Sequence, residues 1–180
     1  MQYELENVSI RMVKEPPLLS DKPISSPGRA VEVLYDLLHD MDREYLITVN
    51  LKADMTPINM NIASIGTINA SLGSPRELLK TAILSNAAAV MILHNHPSGS
   101  LKPSQADINL TDKLIRAFSM MDIQIMDHVI LGPERQYYSM RERGTFPIPE
   151  PEASVSVEDL NFHMRAKTRV EKTMPREEAR

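Results

Sequence analysis

Residues 87–93, Ala-Ala-Ala-Val-Met-Ile-Leu, constrain the fold most: seven consecutive apolar residues followed at once by turn chemistry. A run this short, with no polar position to offer to water, reads as a strand covered on both faces rather than one with a wet side. A strand of that kind needs helices on either side of its sheet. The run leads straight into His94, so any chemistry carried by that histidine sits at the end of a buried strand.

The rest of the chain supplies the cover. Residues 1–26 read as an arm, with a weak edge strand over residues 8–13 broken by Glu15-Pro16-Pro17 and by Ser25-Ser26-Pro27-Gly28. Ser26 and Pro27 suit an N-cap and a first helical position, and Ala30, Val33, Leu34, Leu37, Leu38 and Met41 repeat at helical spacing to about Asp40. Period-two, β-branched text at 44–51 and 58–65 predicts a hairpin. Ser74-Pro75-Arg76-Glu77 combines an N-cap, Pro and Glu for a second helix ending near Asn86, with Leu78, Leu79, Ala82 and Ile83 as its buried stripe. A Pro/Gly/Ser loop at 94–103 precedes a helix at 104–121 with Ile108, Leu110, Leu114, Ile115 and Phe118 inward. Strands follow at 123–131 and 136–141. The fold class is α/β in the α+β sense, a mixed sheet flanked by helices. A single domain over 27–146 is expected, then a polar tail at 147–180 that begins with alternating prolines. Ser156-Val157-Glu158-Asp159 can cap a short helix there, with Val157, Leu160 and Met164 on one side.

Composition narrows the chemistry. The 180 residues include no cysteine, which removes disulfides, thiol nucleophiles and thiolate zinc sites, so any metal must sit on His, Asp or Glu. With a net charge of -4 there is no general basic field for a polyanion, and charge does not support association with DNA. Neither a basic, apolar leader nor a membrane-spanning run is present, so a cytoplasmic protein with no membrane partner is expected.

His94-Asn95-His96 puts two imidazoles at i and i+2, on one side of an extended segment, where both can reach one ion. Asp107, in the first turn of the next helix, is the nearest downstream carboxylate. Ser104 lies three residues before it, and Ser-x-x-Asp is also an ordinary capping box, a role that competes with ligation for the same carboxylate. Two histidines one loop away favour the ligand reading. Two His and one Asp leave a tetrahedral Zn²⁺ one open position, as catalytic sites do. Such a site needs a proton acceptor, for which Glu44 at a strand entrance is the candidate; its plainer reading is a charged residue at a sheet end.

Glu44, His94-x-His96, seven residues, Ser104, two residues and Asp107 resemble the JAMM signature of the JAB/MPN metal-dependent peptidases. His94-Asn95-His96-Pro97-Ser98-Gly99, Ser74-Pro75-Arg76-Glu77 and Asp127-His128-Val129-Ile130-Leu131-Gly132 are similar to the RadC branch of that family, over about residues 27–132. The resemblance implies the deubiquitinase-like JAB fold, a curved sheet with helices on either side. It implies one Zn²⁺ per chain on His94, His96 and Asp107, with Glu44 as general acid/base and Ser104 hydrogen-bonding the oxyanion. The implied reaction is hydrolysis of a peptide or isopeptide bond in a peptide or protein substrate. RadC-type proteins commonly carry an N-terminal helix-hairpin-helix region associated with DNA. The Pro-rich residues before the first helix do not resemble one, so the DNA-repair association is expected less than the catalytic one. The alternative function is a non-catalytic JAB module within a DNA-repair or mobile-element complex.

Other candidates have plainer readings. HNH endonucleases disperse their three named residues over a hairpin and helix, unlike the adjacent His94-Asn95-His96. Ser98 and Ser100 lack the strand-to-elbow context of a serine nucleophile and read as turn formers. His128, in an alternating strand, reads as a structural histidine; the other options are a direct role and a place behind a metal ligand. His39 and His163 read as surface residues, and Met60, Met120 and Met121 as packing.

Overall fold

The computed structural model describes residues 12–13, 20–38, 43–66 and 73–148. The tail helix expected at 156–164, most of the edge strand expected at 8–13, and both His39 and His163 lie outside the described residues. Among the described residues the elements are α1 (Pro27–Leu38), β1 (Glu44–Leu51), β2 (Pro57–Gly66), α2 (Pro75–Leu84), β3 (Ala89–Asn95), α3 (Gln105–Ser119), β4 (Gln124–Leu131) and β5 (Tyr137–Ser139). A single 3₁₀ turn at Pro133–Arg135 joins the last two strands. Among the described residues no helix is long and apolar enough to cross a membrane.

The sheet has the order β2-β1-β3-β4-β5. The hairpin partner β2 and the central β3 both run antiparallel to β1, β4 runs parallel to β3 through the α3 crossover, and β5 returns antiparallel. This is the expected mixed sheet, with an extra residue in β2 opposite Leu46/Ile47 and opposite Asn50/Leu51 and in β4 opposite Val90/Met91, the kind of irregularity that bends a strand locally.

Two cores cover the central strand. On one face α1 lays Ala30, Val31, Leu34 and Leu38 over Ile47, Val49, Leu51, Ala89, Met91, Leu93, Val129 and Leu131. On the other, α2 and α3 bring Leu78, Ala82, Leu114, Ile115 and Phe118 onto Leu46, Val90, Ile92 and Ile125. Strand β3 is buried along its whole length, as its apolar text requires.

Some expectations change in detail. Strand β3 extends two residues further than the apolar run, so His94 and Asn95 belong to the strand and not to the loop. Backbone pairing explains this: His94 and Asn95 continue the parallel ladder opposite Ile130 and Leu131. Ser74 makes no side-chain cap bond to α2; Glu77 instead holds the ammonium of Lys80 at 2.7 Å. Ile83 faces solvent. On α3, Ile108 and Leu110 are only half-buried, while Asp107 and Thr111 take fully buried positions, because that end of the helix faces polar partners on β3 and β4.

Candidate metal centre

Period two sets the site. Along β3, Val90 and Ile92 point to the α2/α3 side, so His94 follows them there while Asn95 points the opposite way. On β1, Leu46 shares that side and lies directly opposite His94. Glu44, two residues earlier, therefore falls on the same face, level with His96 beyond the strand end. The N-terminus of α3 then delivers Asp107. The result is a group in which Glu44, His94, His96 and Asp107 each present a ligand atom, all within 4.8 Å of one another. Glu44, His94 and Asp107 are buried and His96 is half-buried, so the group opens to solvent on the His96 side.

The spacing suits a small cation. Tetrahedral bonds of about 2.0–2.1 Å put neighbouring ligand atoms about 3.3 Å apart. His94 Nε2 and His96 Nε2 are 2.9 Å apart, His94 Nε2 is 3.4 Å from Asp107 Oδ1, and His96 Nε2 is 3.5 Å from Asp107 Oδ2. His96 Nδ1 lies 2.7 Å from the carbonyl oxygen of Ser100, which can only accept, so that nitrogen carries a proton and Nε2 is the bare one in the neutral ring. The donor set is therefore nitrogen and carboxylate oxygen, compact and facing inward, and it fits a divalent ion such as zinc.

Asp107 makes the cap and still faces both histidines: its capping oxygen Oδ2 is the one near His96 Nε2, and Oδ1 is the one near His94 Nε2. Oδ2 accepts from the backbone N–H of Ser104 at 2.6 Å and from the Ser104 hydroxyl at 2.7 Å, while Ser104 Oγ accepts from the Asp107 N–H at 3.2 Å. The capping box is thus complete, and Oδ1 faces His94. Ser104 stands at the edge of the site with its hydroxyl proton directed to Asp107.

Electrostatics follow the geometry. Burial, reinforced by the neighbouring His128, holds His94 well below the ordinary imidazole range, with Asp107 opposing. Burial lowers His128 to about 4. His96 is raised, first by its bond with Asp107, against the effect of burial. Burial pushes Asp107 upward, yet His96, His94 and Ser104 together hold its carboxyl below the usual range.

Three residues outside the expected set support it. The side-chain amide of Asn95 accepts from Tyr45 N–H and donates to the Arg43 carbonyl, both at 2.8 Å, and so clamps the backbone on either side of Glu44. His128 Nε2 lies 2.8 Å from His94 Nδ1, and Thr111 Oγ1 lies 2.6 Å from His128 Nδ1. Of the readings open for His128, its contact with His94 Nδ1 fits a place behind that residue. Spacing held the signal for the others: Thr111 is four residues after Asp107 on one helix face, and Asn95 stands between two histidines at a strand end.

A mixed sheet with helices on both faces, and a Glu/His/His/Asp group where a strand end meets a helix start, define a JAB-type α+β domain. The chain belongs to the RadC-like JAB domain family, which it matches over residues 24–145. It is 35% identical over 142 residues to a UPF0758 protein of Methanosarcina mazei, covering 79% of this chain and 60% of that protein. To a UPF0758 protein of Chloroflexus aggregans it is 39% identical over 122 residues, covering 68% of this chain and 53% of the relative. The chain thus aligns with little more than half the length of these relatives.

Proposed function

We propose that the chain is a zinc-dependent hydrolase that cleaves a peptide or isopeptide bond. The observation that carries this reading is the convergence of Glu44, His94, His96 and Asp107 within 4.8 Å at a strand end that opens to solvent on one side. His94, His96 and Asp107 would hold the ion. When bound, such an ion supplies a water of lowered pKa and polarises the carbonyl to be attacked.

The chain's own groups complete the reaction. Glu44, its backbone clamped by Asn95, lies within one water's reach of the ligand atoms; it accepts the proton of the attacking water and returns it to the leaving amine. Ser104 turns its hydroxyl from Asp107 to the developing oxyanion, a contact whose loss typically costs about 10²–10³ in rate.

The test is turnover of peptide and isopeptide libraries by the zinc-loaded chain, beside Glu44→Gln. Cleavage by the wild type, lost in the variant with its zinc retained, supports the reading. Zinc binding without cleavage of any library favours a non-catalytic JAB module, and cleavage that survives Glu44→Gln contradicts the proton-transfer role.

A further inference from the structure

We propose that Thr111 and His128 are positioning residues of the metal centre: together they fix the proton of His94 on Nδ1 and so aim its bare Nε2 at the ion. This inference rests on the metal-binding reading above.

The argument is one of hydrogen-bond direction. Thr111 Oγ1 lies 2.6 Å from the backbone carbonyl oxygen of Asp107, which can only accept, so the single hydroxyl proton of Thr111 goes there. The sulfur of Met140, at 3.6 Å, is a weaker acceptor and does not compete. Having spent its proton, Thr111 Oγ1 can only accept from His128 Nδ1, 2.6 Å away. In a neutral His128 ring a proton on Nδ1 leaves Nε2 bare, and Nε2 then accepts from His94 Nδ1 at 2.8 Å. His94 Nε2 is left without a proton, 2.9 Å from His96 Nε2 and 3.4 Å from Asp107 Oδ1.

Each link is enclosed, since His94, Thr111 and His128 are at most 1% exposed, so water does not offer an alternative partner. The chain of bonds also ties two elements together. It starts on the backbone of the α3 turn that presents Asp107 and ends on the β3 ring of His94, so the proton position on His94 is set from a neighbouring helix. Histidine ligands commonly need a partner on their other nitrogen; here a second histidine fills that place, and a threonine sets which way it faces.

The experiment uses the full chain, with Thr111→Val, which keeps shape and removes the hydroxyl, and Thr111→Ser, which restores it. Long-range proton–nitrogen correlation spectra of the metal-free wild type at about pH 8, where free imidazole is neutral, read the tautomers directly. His94 and His128 are both expected to carry the proton on Nδ1. Chelator competition is expected to show zinc binding weakened by about 10–100-fold in Thr111→Val, with most of the loss recovered in Thr111→Ser. A proton on Nε2 of His94 or His128, or equal zinc affinity in the valine and serine variants, overturns the proposal. Tight zinc binding with the wrong tautomer overturns it alone, whereas a wild type that binds no zinc overturns the metal reading with it. The spectra need only the wild type, so a variant that fails to fold leaves the proposal open to refutation.

Discussion

Asp107 shows why single residues resist assignment from text. Ser-x-x-Asp offers a cap and a ligand as rivals, yet in the fold one carboxylate meets both: Oδ2 bonds Ser104 and also faces His96, while Oδ1 faces His94. Removing the hydroxyl tests the cap by itself: Ser104→Ala should lower stability by about 1 kcal/mol in denaturant titrations. An unchanged midpoint would mean that the hydroxyl does not support the helix start. Asn95 is the converse case, a residue passed over because its neighbours are histidines. Its amide makes two part-buried backbone bonds, so Asn95→Ala should cost about 1–2 kcal/mol. Zinc affinity should stay near wild type, because Asn95 points away from the ligands; a large loss of zinc binding at full stability would contradict the placement.

At the scale of elements, periodicity carried most of the fold. The apolar run marked β3, alternation marked the β1/β2 hairpin, and helical spacing marked α1 and α3, because each pattern reports a face that must be buried. What the text did not carry lies where tertiary partners overrule local pattern. Strand β3 continues through two polar residues because the ladder with β4 continues, and α3 turns Thr111 inward because His128 waits there. The loop between His96 and α3 is a sharper case. Gly99 has φ of 72°, in the left-handed region, and its N–H donates to the His96 carbonyl at 2.8 Å. A Cβ there would meet Pro133 only at 3.7 Å, so Gly99→Ala has room and its cost is conformational. We expect a loss of about 1 kcal/mol in thermal or urea unfolding. No loss would mean that this turn relaxes without strain.

For the whole molecule, the buried imidazoles make the metal-free chain sensitive to acid. An unfolded histidine takes up its proton as pH falls through about 6.5, whereas buried His94 and His128 refuse theirs until well below that, about 4 for His128. The unfolded state therefore binds more protons between these values, and stability rises with pH across that window. From His128 alone the loss between pH 6.5 and 5 is about 1.5 kcal/mol. His96, raised by Asp107, has the opposite sign: its contribution is full below about 6.5 and fades as pH climbs through its folded value, so it does not cancel the acid loss. Urea midpoints with chelator present should fall from about pH 7 to about pH 5; a flat or rising midpoint would contradict the buried, neutral pair.

Zinc should reverse the balance, since an ion that binds only the folded chain stabilises it by mass action and displaces protons from its ligands. The most direct test of the metal centre is therefore zinc titration of the purified chain at micromolar free metal. The expected result is one ion per chain, retained in Glu44→Gln and lost when His94 and His96 are both changed to Ala. A wild type that stays metal-free, or a double variant that still holds its ion, would contradict the account.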